Sequence, residues 1–411
     1  MWIAIPHRRR VIRRCGSRCR DGGASAPGAE RAPVIGAAVR AGAGIALAGC
    51  AVALGNRLGV RRLSGAAAAV IEPITVCVPA RDEATRLPGL IADLRAQVDV
   101  ARMRVLILDD GSTDGTSDAA VTSIGDDVRF TVIRAGGEPP PGWTGKAAAC
   151  ARLAAAADTS VLIFLDADVR LAPGAVASAA GALRRSGAAL ISPWPRQEFG
   201  SFSEALTQPL LCWSWASTLP IALANRSLRP STAVACGQFL VFDGSAYRSV
   251  GGHAVVAGSP TEDLDIARAL RRSGLRTELF AAGRLARTRM YRGAAEVDDG
   301  YTRWLWSAYG GTVFGGIAVG AVAALAYWVP PLAMIFGRGS VRRAGIVGYA
   351  AAVTSRILAR TTESAATPTR ADVLAALAHP LSIAAYLRLW IRSRQARRQG
   401  RLQWKGRRLA S

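Results

Sequence analysis

The chain has 411 residues, half of them hydrophobic, and its 52 Lys or Arg against 29 Asp or Glu give a net charge of +23. Residues 1–33 contribute +6 and residues 388–411 contribute +9, so most of the excess is terminal, and no basic motif is interleaved with aromatic residues. This charge distribution argues against nucleic-acid binding and favours contact with an anionic membrane surface. The seven cysteines are scattered and include no Cys-x-x-Cys pair, which argues against a disulfide framework.

The N-terminal region divides into two segments. Residues 1–33 are rich in Arg, Gly, Ala and Pro without hydrophobic periodicity, which predicts a disordered basic tail. Residues 34–60 are rich in Ala and Gly and include an uncharged run of 16 residues, 41–56. We expect this second segment to be a membrane anchor.

From residue 73 the pattern changes to short apolar runs that alternate with helical segments. Strands are predicted at residues 74–79, 105–109, 128–134 and 161–165, and helices at 84–97, from 116, and at 144–157. Continuous apolar strands separated by helices are typical of an α/β fold with a parallel sheet covered on both faces.

Acidic residues follow two of these strands directly. Asp166 and Asp168 come after the apolar run 161–165, and Asp109 and Asp110 come after 105–108. Residues i and i+2 of an extended chain point the same way, so Asp166 and Asp168 can converge on one hard cation. A single pair of this kind more often caps the next helix, but two in register at the carboxyl ends of parallel strands indicate a ligand site.

Lysine usage marks one further position. Only Lys146 and Lys405 are lysine among the 52 basic residues, against a strong bias to arginine. A compact ammonium differs from a guanidinium in reach and hydration, which favours a specific function for each over chance retention.

Five short motifs occur in a fixed order: Val78-Pro-Ala-Arg-Asp-Glu83, Asp109-Asp-Gly-Ser-Thr-Asp-Gly115, Gly145-Lys-Ala-Ala148, Asp166-Ala-Asp168 and Thr261-Glu-Asp263. This series resembles the inverting glycosyltransferases of family 2. The resemblance covers roughly residues 72–305, and it implies a glycosyltransferase domain over residues 72–303. It implies a GT-A fold, a doubly wound α/β sheet that binds nucleotide-diphospho-sugars. The flanking apolar segments and Trp404-Lys-Gly-Arg407 look like the membrane-bound branch that glycosylates carotenoid or hopanoid-type lipids.

The resemblance implies a function for each motif. Asp166 and Asp168 would hold Mg²⁺ or Mn²⁺, which offsets the charge of the departing nucleoside diphosphate. Lys146 would lie near the phosphates. The donor, a UDP- or GDP-sugar, would be bound by a set that also includes Ala80, Arg81, Glu83, Asp109, Asp110 and Asp166.

The acceptor side depends on Asp263, the expected general base at the start of a helix over residues 264–273. The structural alternative is that Asp263 only caps that helix. Processive relatives carry Gln-x-x-Arg-Trp, whereas Gly300-Tyr-Thr-Arg303-Trp304 lacks the Gln, so we expect the transfer of one or few sugars. The other residues expected on this side are Gln238, Glu262, Arg289, Arg303 and Trp304.

Apolar segments continue to the C-terminus. Residues 304–391 are predicted to form a transmembrane region that begins with an uncharged run of 34 residues, 304–337, bent near Pro330-Pro331, and includes a plausible second span at 372–390. Residues 205–225 are expected to form a membrane-skimming helix, with a buried helix as the alternative. Residues 392–411 are expected to be a basic cytoplasmic tail.

These features predict a multi-pass protein of the cytoplasmic membrane with its catalytic domain in the cytoplasm. The expected function is inverting, non-processive transfer of a sugar to a membrane lipid such as a carotenoid, a hopanoid or a polyprenyl-like acceptor. A processive cell-envelope polysaccharide synthase is the alternative enzyme. A non-catalytic membrane scaffold is a third hypothesis. A scaffold would not need acidic residues at the strand ends, so their presence argues against it.

Overall fold

A computed structural model describes residues 31–65, 68–308, 311–401, 403–404 and 407–408. The predicted N-terminal tail therefore lies almost entirely outside the described residues, as do Lys405 and Gly406 of the C-terminal motif. Within the described part of the chain, the strands are β1 Ile74–Ala80, β2 Met103–Asp110, β3 Phe130–Ala135, β4 Val161–Leu165, β5 Val169–Leu171, β6 Leu190–Trp194, β7 Arg196–Gln197, β8 Phe239–Asp243, β9 Thr277–Ala281, β10 Ala286–Thr288, β11 Gln403–Trp404 and β12 Arg407–Arg408.

The helices within the same residues are α1 Arg31–Gly59, α2 Leu87–Arg95, α3 Thr116–Ile124, α4 Gly145–Ala155, α5 Ala175–Ser186, α6 Phe202–Thr218, α7 Ile221–Ala224, α8 Gly244–Ser249, α9 Glu262–Arg272, α10 Gly293–Ala308, α11 Val313–Tyr327, α12 Val329–Phe336, α13 Gly339–Ser364, α14 Arg370–Leu377 and α15 His379–Arg398. Each strand and helix predicted between residues 74 and 165 is present, with ends shifted by a few residues.

The main sheet has the order β3-β2-β1-β4-β8-β6-β9. The strands β3, β2, β1 and β4 are parallel, as are β6 and β9, but β8 runs antiparallel to both of its neighbours. The four predicted strands are thus parallel to one another, and the antiparallel β8 was not among the predicted strands. An apolar run shows that a strand is buried but carries no information about its direction.

Both faces of the sheet are covered, as predicted. Val76, Ile107 and Ile163 belong to a cluster that also contains side chains of α2 and α5. Their neighbours along the strands point the other way, so Leu106 and Phe164 pack in a second cluster with side chains of α4 and α9. The two layers of helices leave the carboxyl ends of the central strands as the open edge.

Two helical segments within the described residues are long and apolar enough to cross a membrane, or up to three if a bent pair counts as one span. They are Val34–Gly59 and Val313–Phe336, each with a mean hydropathy of 1.8. The bent pair is α14 and α15, whose axes differ by 70°. The apolar helix at the predicted N-terminal anchor and the helix break before Pro330 agree with the predictions from the sequence.

The uncharged run after residue 303 does not form one helix, which corrects the expectation of a span that begins at Trp304. Trp304 lies in α10, and the apolar helix begins only at Val313, where the Thr312 hydroxyl accepts a hydrogen bond from the Gly315 N–H at 3.1 Å. The aromatic rings of α10 pack on α15: Tyr301 lies 5.7 Å from Tyr386 between ring centroids. One face of α10 is thus buried beside the sheet.

The expected membrane-skimming segment forms α6, which packs against α1, α10, α13 and α15. Leu210, Cys212 and Trp213 are buried among these helices, and the Trp213 indole donates a hydrogen bond to the Ser355 hydroxyl at 2.8 Å. The alternative of a buried helix therefore describes α6 better. The helix α15 continues to Arg398, so the first residues of the predicted C-terminal tail are helical.

Candidate active site

A cavity of 620 Å³ lies beyond the carboxyl ends of β1, β2 and β4. Ala80 ends β1, Asp110 ends β2, and Asp166 follows β4, so the parallel strands bring these residues to one edge. Of the residues predicted for the site, this cavity is lined by Ala80, Arg81, Glu83, Asp110, Lys146, Asp166, Asp168, Gln238 and Arg303.

A second cavity of 570 Å³ continues from the first. The two share lining residues, among them Lys146, Asp166 and Gln238, and thus form one cleft. Of the residues predicted for the acceptor side, the second cavity is lined by Gln238, Glu262, Asp263, Arg303 and Trp304. Its wall also carries Leu211 and Trp215 from α6, which gives it an apolar side.

The carboxylates of Asp166 and Asp168 lie in the turn between β4 and β5. The Oδ1 atom of Asp168 is buried and has no hydrogen-bond partner among the described residues. Burial, together with the nearby carboxylates of Asp166 and Glu83, raises the pKa of Asp168 to about 7. A divalent cation would satisfy the unpaired oxygen and relieve the repulsion between the acids, so this pair fits Mg²⁺ or Mn²⁺.

No group of three or more His, Cys, Asp or Glu side chains that could hold a metal occurs in the described ranges. A cation held here by Asp166 and Asp168 would therefore take its remaining ligands from substrate and water. Substrate diphosphate oxygens are the usual source of such ligands for Mg²⁺.

Lys146 joins the two parts of the cleft. It is the second residue of α4, which begins after Thr144, whose hydroxyl accepts a hydrogen bond from the Ala147 N–H at 3.2 Å. The Lys146 ammonium lies 2.8 Å from Asp166 Oδ1 and 3.2 Å from Glu262 Oε1. Burial disfavours the ammonium, but the two carboxylates outweigh it and raise the pKa of Lys146 well above its ordinary value. Lys146 is therefore a fixed positive charge between Asp166 and Glu262, where the two cavities meet.

Asp263 lies at the start of α9, whose cap residue is Thr261. Its Oδ2 accepts a hydrogen bond from the Gly237 N–H at 2.7 Å, and its Oδ1 accepts one from the Leu264 N–H at 2.8 Å. Burial and the carboxylate of Glu262 raise the pKa of Asp263 to about 6, against the opposing effects of Lys146 and of both N–H groups. A carboxylate with a pKa near the working pH is suited to general-base catalysis.

Asp109, predicted to bind the donor, lies outside the cleft walls that the structure describes. Its carboxylate accepts hydrogen bonds from the Ser112 N–H at 2.9 Å and from the hydroxyls of Ser112 and Ser117. Successive residues of a strand face opposite sides, so Asp110 faces the cavity while Asp109 faces α3. Asp109 thus holds the turn that follows β2.

Arg289, predicted for the acceptor side, is also absent from both cavity walls within the described residues. Its Nε and Nη2 atoms donate to the Glu204 carboxylate at 2.9 and 3.0 Å. The side chain of Glu204 is fully buried, and a buried carboxylate without a counter-charge is strongly destabilising. Arg289 therefore neutralises Glu204, and the neighbouring Met290 and Tyr291 line the cleft instead.

Several lining residues were missed from the sequence. Glu296 and Asp299 share one face of α10 at helical spacing with the predicted Arg303, and all three line the first cavity. The guanidinium of Arg86 lies 3.0 Å from Glu296 Oε2, which joins α10 to the loop after β1. Polar residues three to four positions apart in the sequence could have indicated this polar face of a helix. The uncharged run that begins at residue 304 was instead predicted to be a membrane span.

Comparison with known proteins agrees with this geometry. Residues 75–251 match the family model described as Glycosyl transferase family 2. The 4,4'-diaponeurosporenoate glycosyltransferase of Staphylococcus haemolyticus (strain JCSC1435) is 28% identical over 244 residues, which cover 57% of this chain and 61% of that relative. The chain thus matches less than two thirds of the relative's length.

The mannosyltransferase PcManGT from Pyrobaculum calidifontis, solved in complex with GDP-Man and Mn²⁺, has a TM-score of 0.53 at 16% identity, over 85% of this chain and 99% of that one. At this identity the likeness shows the fold alone, and it confirms the predicted GT-A architecture. The family match confirms the predicted enzyme class. Residues 75–251 are thus a glycosyl transferase family 2 domain, on a chain that also carries helices able to cross a membrane.

Proposed function

We propose that this chain is a membrane-bound glycosyltransferase that transfers a sugar, with inversion, from a UDP- or GDP-sugar to a hydroxyl group of a membrane lipid. The observation that carries the proposal is the placement of a carboxylate pair and a separate carboxylate on the two sides of one cleft. Asp166 and Asp168 line the first cavity, and Asp263 lines only the second.

On the donor side, Arg81 is fixed by hydrogen bonds from its Nη1 atom to the carbonyl oxygens of Asp110 and Gly111 at 2.5 and 3.2 Å. This end of the cavity would take the base and ribose of the nucleotide. Mg²⁺ or Mn²⁺ held by Asp166 and Asp168 would supply positive charge against the diphosphate. Lys146 keeps the orientation of Asp166 and adds a charge that does not depend on pH in the physiological range.

On the acceptor side, Asp263 would accept the proton of the lipid hydroxyl as its oxygen attacks the anomeric carbon. An inverting displacement needs one such base, opposite the leaving diphosphate. The two backbone N–H groups that contact Asp263 hold its carboxylate in a fixed orientation before substrate binds.

The apolar wall of the second cavity supports a lipid acceptor. Leu211, Trp215 and Trp304 come from helices that pack against the C-terminal helices, so the cavity lies next to the candidate spans. A carotenoid, hopanoid or polyprenyl-like chain could approach from the membrane and present its hydroxyl to Asp263. The activity of the 28% identical relative, a 4,4'-diaponeurosporenoate glycosyltransferase, supports the same class of acceptor.

The test is transfer by the purified protein in detergent, with UDP- and GDP-sugars, Mg²⁺ or Mn²⁺, and a bacterial lipid extract. We expect release of nucleoside diphosphate and a new glycolipid of one or few sugars, both lost in excess chelator. Sustained growth of a polymer would favour a processive synthase instead. Absence of nucleotide binding under all conditions would contradict the proposal as a whole.

We also propose that the catalytic domain faces the cytoplasm of a multi-pass protein. Ala396 and Arg401 line the same cavity as Asp168, so the C-terminal segment returns to the side of the active site. The chain would then cross the membrane an even number of times after α10. A cysteine introduced at Ser340 should react with a membrane-impermeant maleimide in intact cells, and one introduced at Gln399 should not. Reaction at Gln399 would refute this topology.

A further inference from the structure

Gln238 lies between the two functional sides of the cleft and lines both cavities. Its carbonyl oxygen accepts a hydrogen bond from the Asp166 N–H at 3.1 Å. The preceding residue, Gly237, donates to Asp263 at 2.7 Å. The two-residue segment thus joins the backbone of Asp166 to the carboxylate of Asp263, and under the proposed function the transferred sugar would lie between these residues.

The orientation of the Gln238 amide follows from its neighbours. The Gln197 Nε2 atom donates to the Pro195 carbonyl at 3.3 Å and to Gln238 Oε1 at 2.8 Å. A carbonyl oxygen only accepts, so the contact with Pro195 fixes the nitrogen of Gln197 and therefore the oxygen of Gln238. Cys236 Sγ lies 3.2 Å from the same Gln238 oxygen.

This leaves Gln238 Nε2 as a buried donor without a partner among the described residues, on a side chain that is only 5% exposed. Buried donors are almost always paired, and an exception beside a substrate cleft indicates a partner that the substrate supplies. Hydroxyl oxygens of a sugar can accept this hydrogen bond, and a hydroxyl is a common group by which binding sites tell related sugars apart.

A network behind Gln238 restricts its movement. The backbone N–H of Gln197 donates to the Glu363 carboxylate, and Arg360 Nη1 donates to the Gln197 carbonyl at 2.5 Å. Arg360 is held in turn by Asp372, at 2.7 Å from Nε to Oδ1. The C-terminal helices α13 and α14 thus fix Gln197, and through it the Gln238 amide. A donor held in this way is pre-organised for a ligand.

We propose that Gln238 Nε2 donates a hydrogen bond to a hydroxyl of the sugar that is transferred, and that Gln238 thereby helps to select the sugar. This assignment rests on the proposed glycosyltransferase function. A contact to the sugar can be told apart from a contact to the nucleotide or the diphosphate, because a nucleotide-sugar carries the sugar and its nucleoside diphosphate does not.

The test compares the affinities of the purified protein for UDP and GDP with those for UDP-glucose, UDP-galactose and GDP-mannose, in the presence of Mn²⁺. Gln238→Met keeps the length of the side chain but removes the donor. We expect unchanged affinity for the diphosphate, and a loss of about 3- to 10-fold for the preferred nucleotide-sugar, the usual worth of one neutral hydrogen bond. The ratio between the affinity for the preferred nucleotide-sugar and the affinities for the others should fall by the same factor.

Gln208→Met is the matched control. Gln208 is also buried and donates from Nε2 to the Tyr291 carbonyl at 3.1 Å, but it lies outside both cavity walls in the described residues. Its variant should leave the ratio of the two affinities unchanged. If Gln238→Met fails to fold, Gln238→Leu gives the same measurement, since it also removes the donor and adds no charge to the cleft.

Equal losses for diphosphate and nucleotide-sugar in the Gln238 variants would overturn the assignment, and so would no loss in either. Wild-type protein that binds no nucleotide at all would instead contradict the proposed function. The two failures are therefore distinguishable in one set of titrations.

Discussion

The substitution Asp263→Asn tests the proposed chemistry most directly. Asparagine has the size of aspartate and can still accept a hydrogen bond from the Gly237 or the Leu264 N–H, but it cannot take a proton from the acceptor. A positioned general base is worth about 10²- to 10⁴-fold in rate, which corresponds to ~3–5 kcal/mol of barrier. We therefore expect transfer to the lipid to fall by that factor while nucleotide affinity changes little.

The pH dependence gives an independent measure of the same group. Burial and Glu262 raise the pKa of Asp263 to about 6, so its carboxyl group is protonated and inactive at pH 5 and ionised at pH 7.5. At saturating Mn²⁺, which keeps the Asp168 carboxyl group ionised, the rate of transfer at low acceptor concentration should accordingly rise with pH through about 6 and level off above it. The residual activity of Asp263→Asn should lack this rise.

The competing interpretation is that Asp263 only fixes the loop at Gly237 to α9. In that case Asp263→Asn would weaken one of two hydrogen bonds, at a cost of about 1 kcal/mol in the free energy of unfolding, and turnover would stay near the wild-type value. Initial rates of glycolipid formation and nucleotide titrations on a single preparation separate the two. Near-wild-type turnover would remove Asp263 from the mechanism.

Three further substitutions test the groups around the base. Asp168→Ala should abolish the gain in nucleotide affinity that Mn²⁺ provides, without loss of the folded state, because Asp168 lies at the strand end and its Oδ1 has no partner among the described residues; metal-dependent affinity equal to that of the wild type would contradict the site. Lys146→Met should shift the acid limb of the transfer rate to higher pH, because Lys146 lowers the pKa of Asp263; a shift to lower pH would show that the sign is wrong. Gly237→Ala would place a Cβ atom 3.0 Å from Asp263 Oδ2, so it should reduce turnover about tenfold or more while nucleotide affinity is kept. Equal loss of both would instead indicate a general disturbance of the fold.

The sequence predicted the parts of this molecule that depend on local pattern. The apolar runs before Asp110 and Asp166 defined strands, and the parallel arrangement of β1, β2 and β4 then required their carboxyl ends to meet. The helix predicted at residues 144–157 followed from the alternation of apolar strands with helical segments, and the anchor helix α1 followed from an uncharged run. These features need no knowledge of contacts between distant residues.

Features set by distant contacts could not be predicted. Arg289 looked available for a substrate because nothing near it in the sequence shows that Glu204, 85 residues earlier, is its buried partner. The antiparallel direction of β8 also depends on how separate segments meet. The same is true of Trp304, which lies in α10 and does not begin a membrane span. Asp109 is a different case, since the alternation of side chains along β2 distinguishes it from Asp110 once one of the two is known to face the cleft.

The position of Lys146 explains why a chain so biased to arginine keeps a lysine there. Its ammonium contacts Asp166 and Glu262, which belong to opposite sides of the cleft, at 2.8 and 3.2 Å. A guanidinium is planar and favours two parallel bonds to one carboxylate, so it would pair with one acid and leave the other unpaired. A single compact charge can serve both, and it also lowers the pKa values of Asp168 and Asp263. Lys146 therefore favours the ionised form of both carboxylates, which the proposed metal binding and the proposed proton acceptance each require.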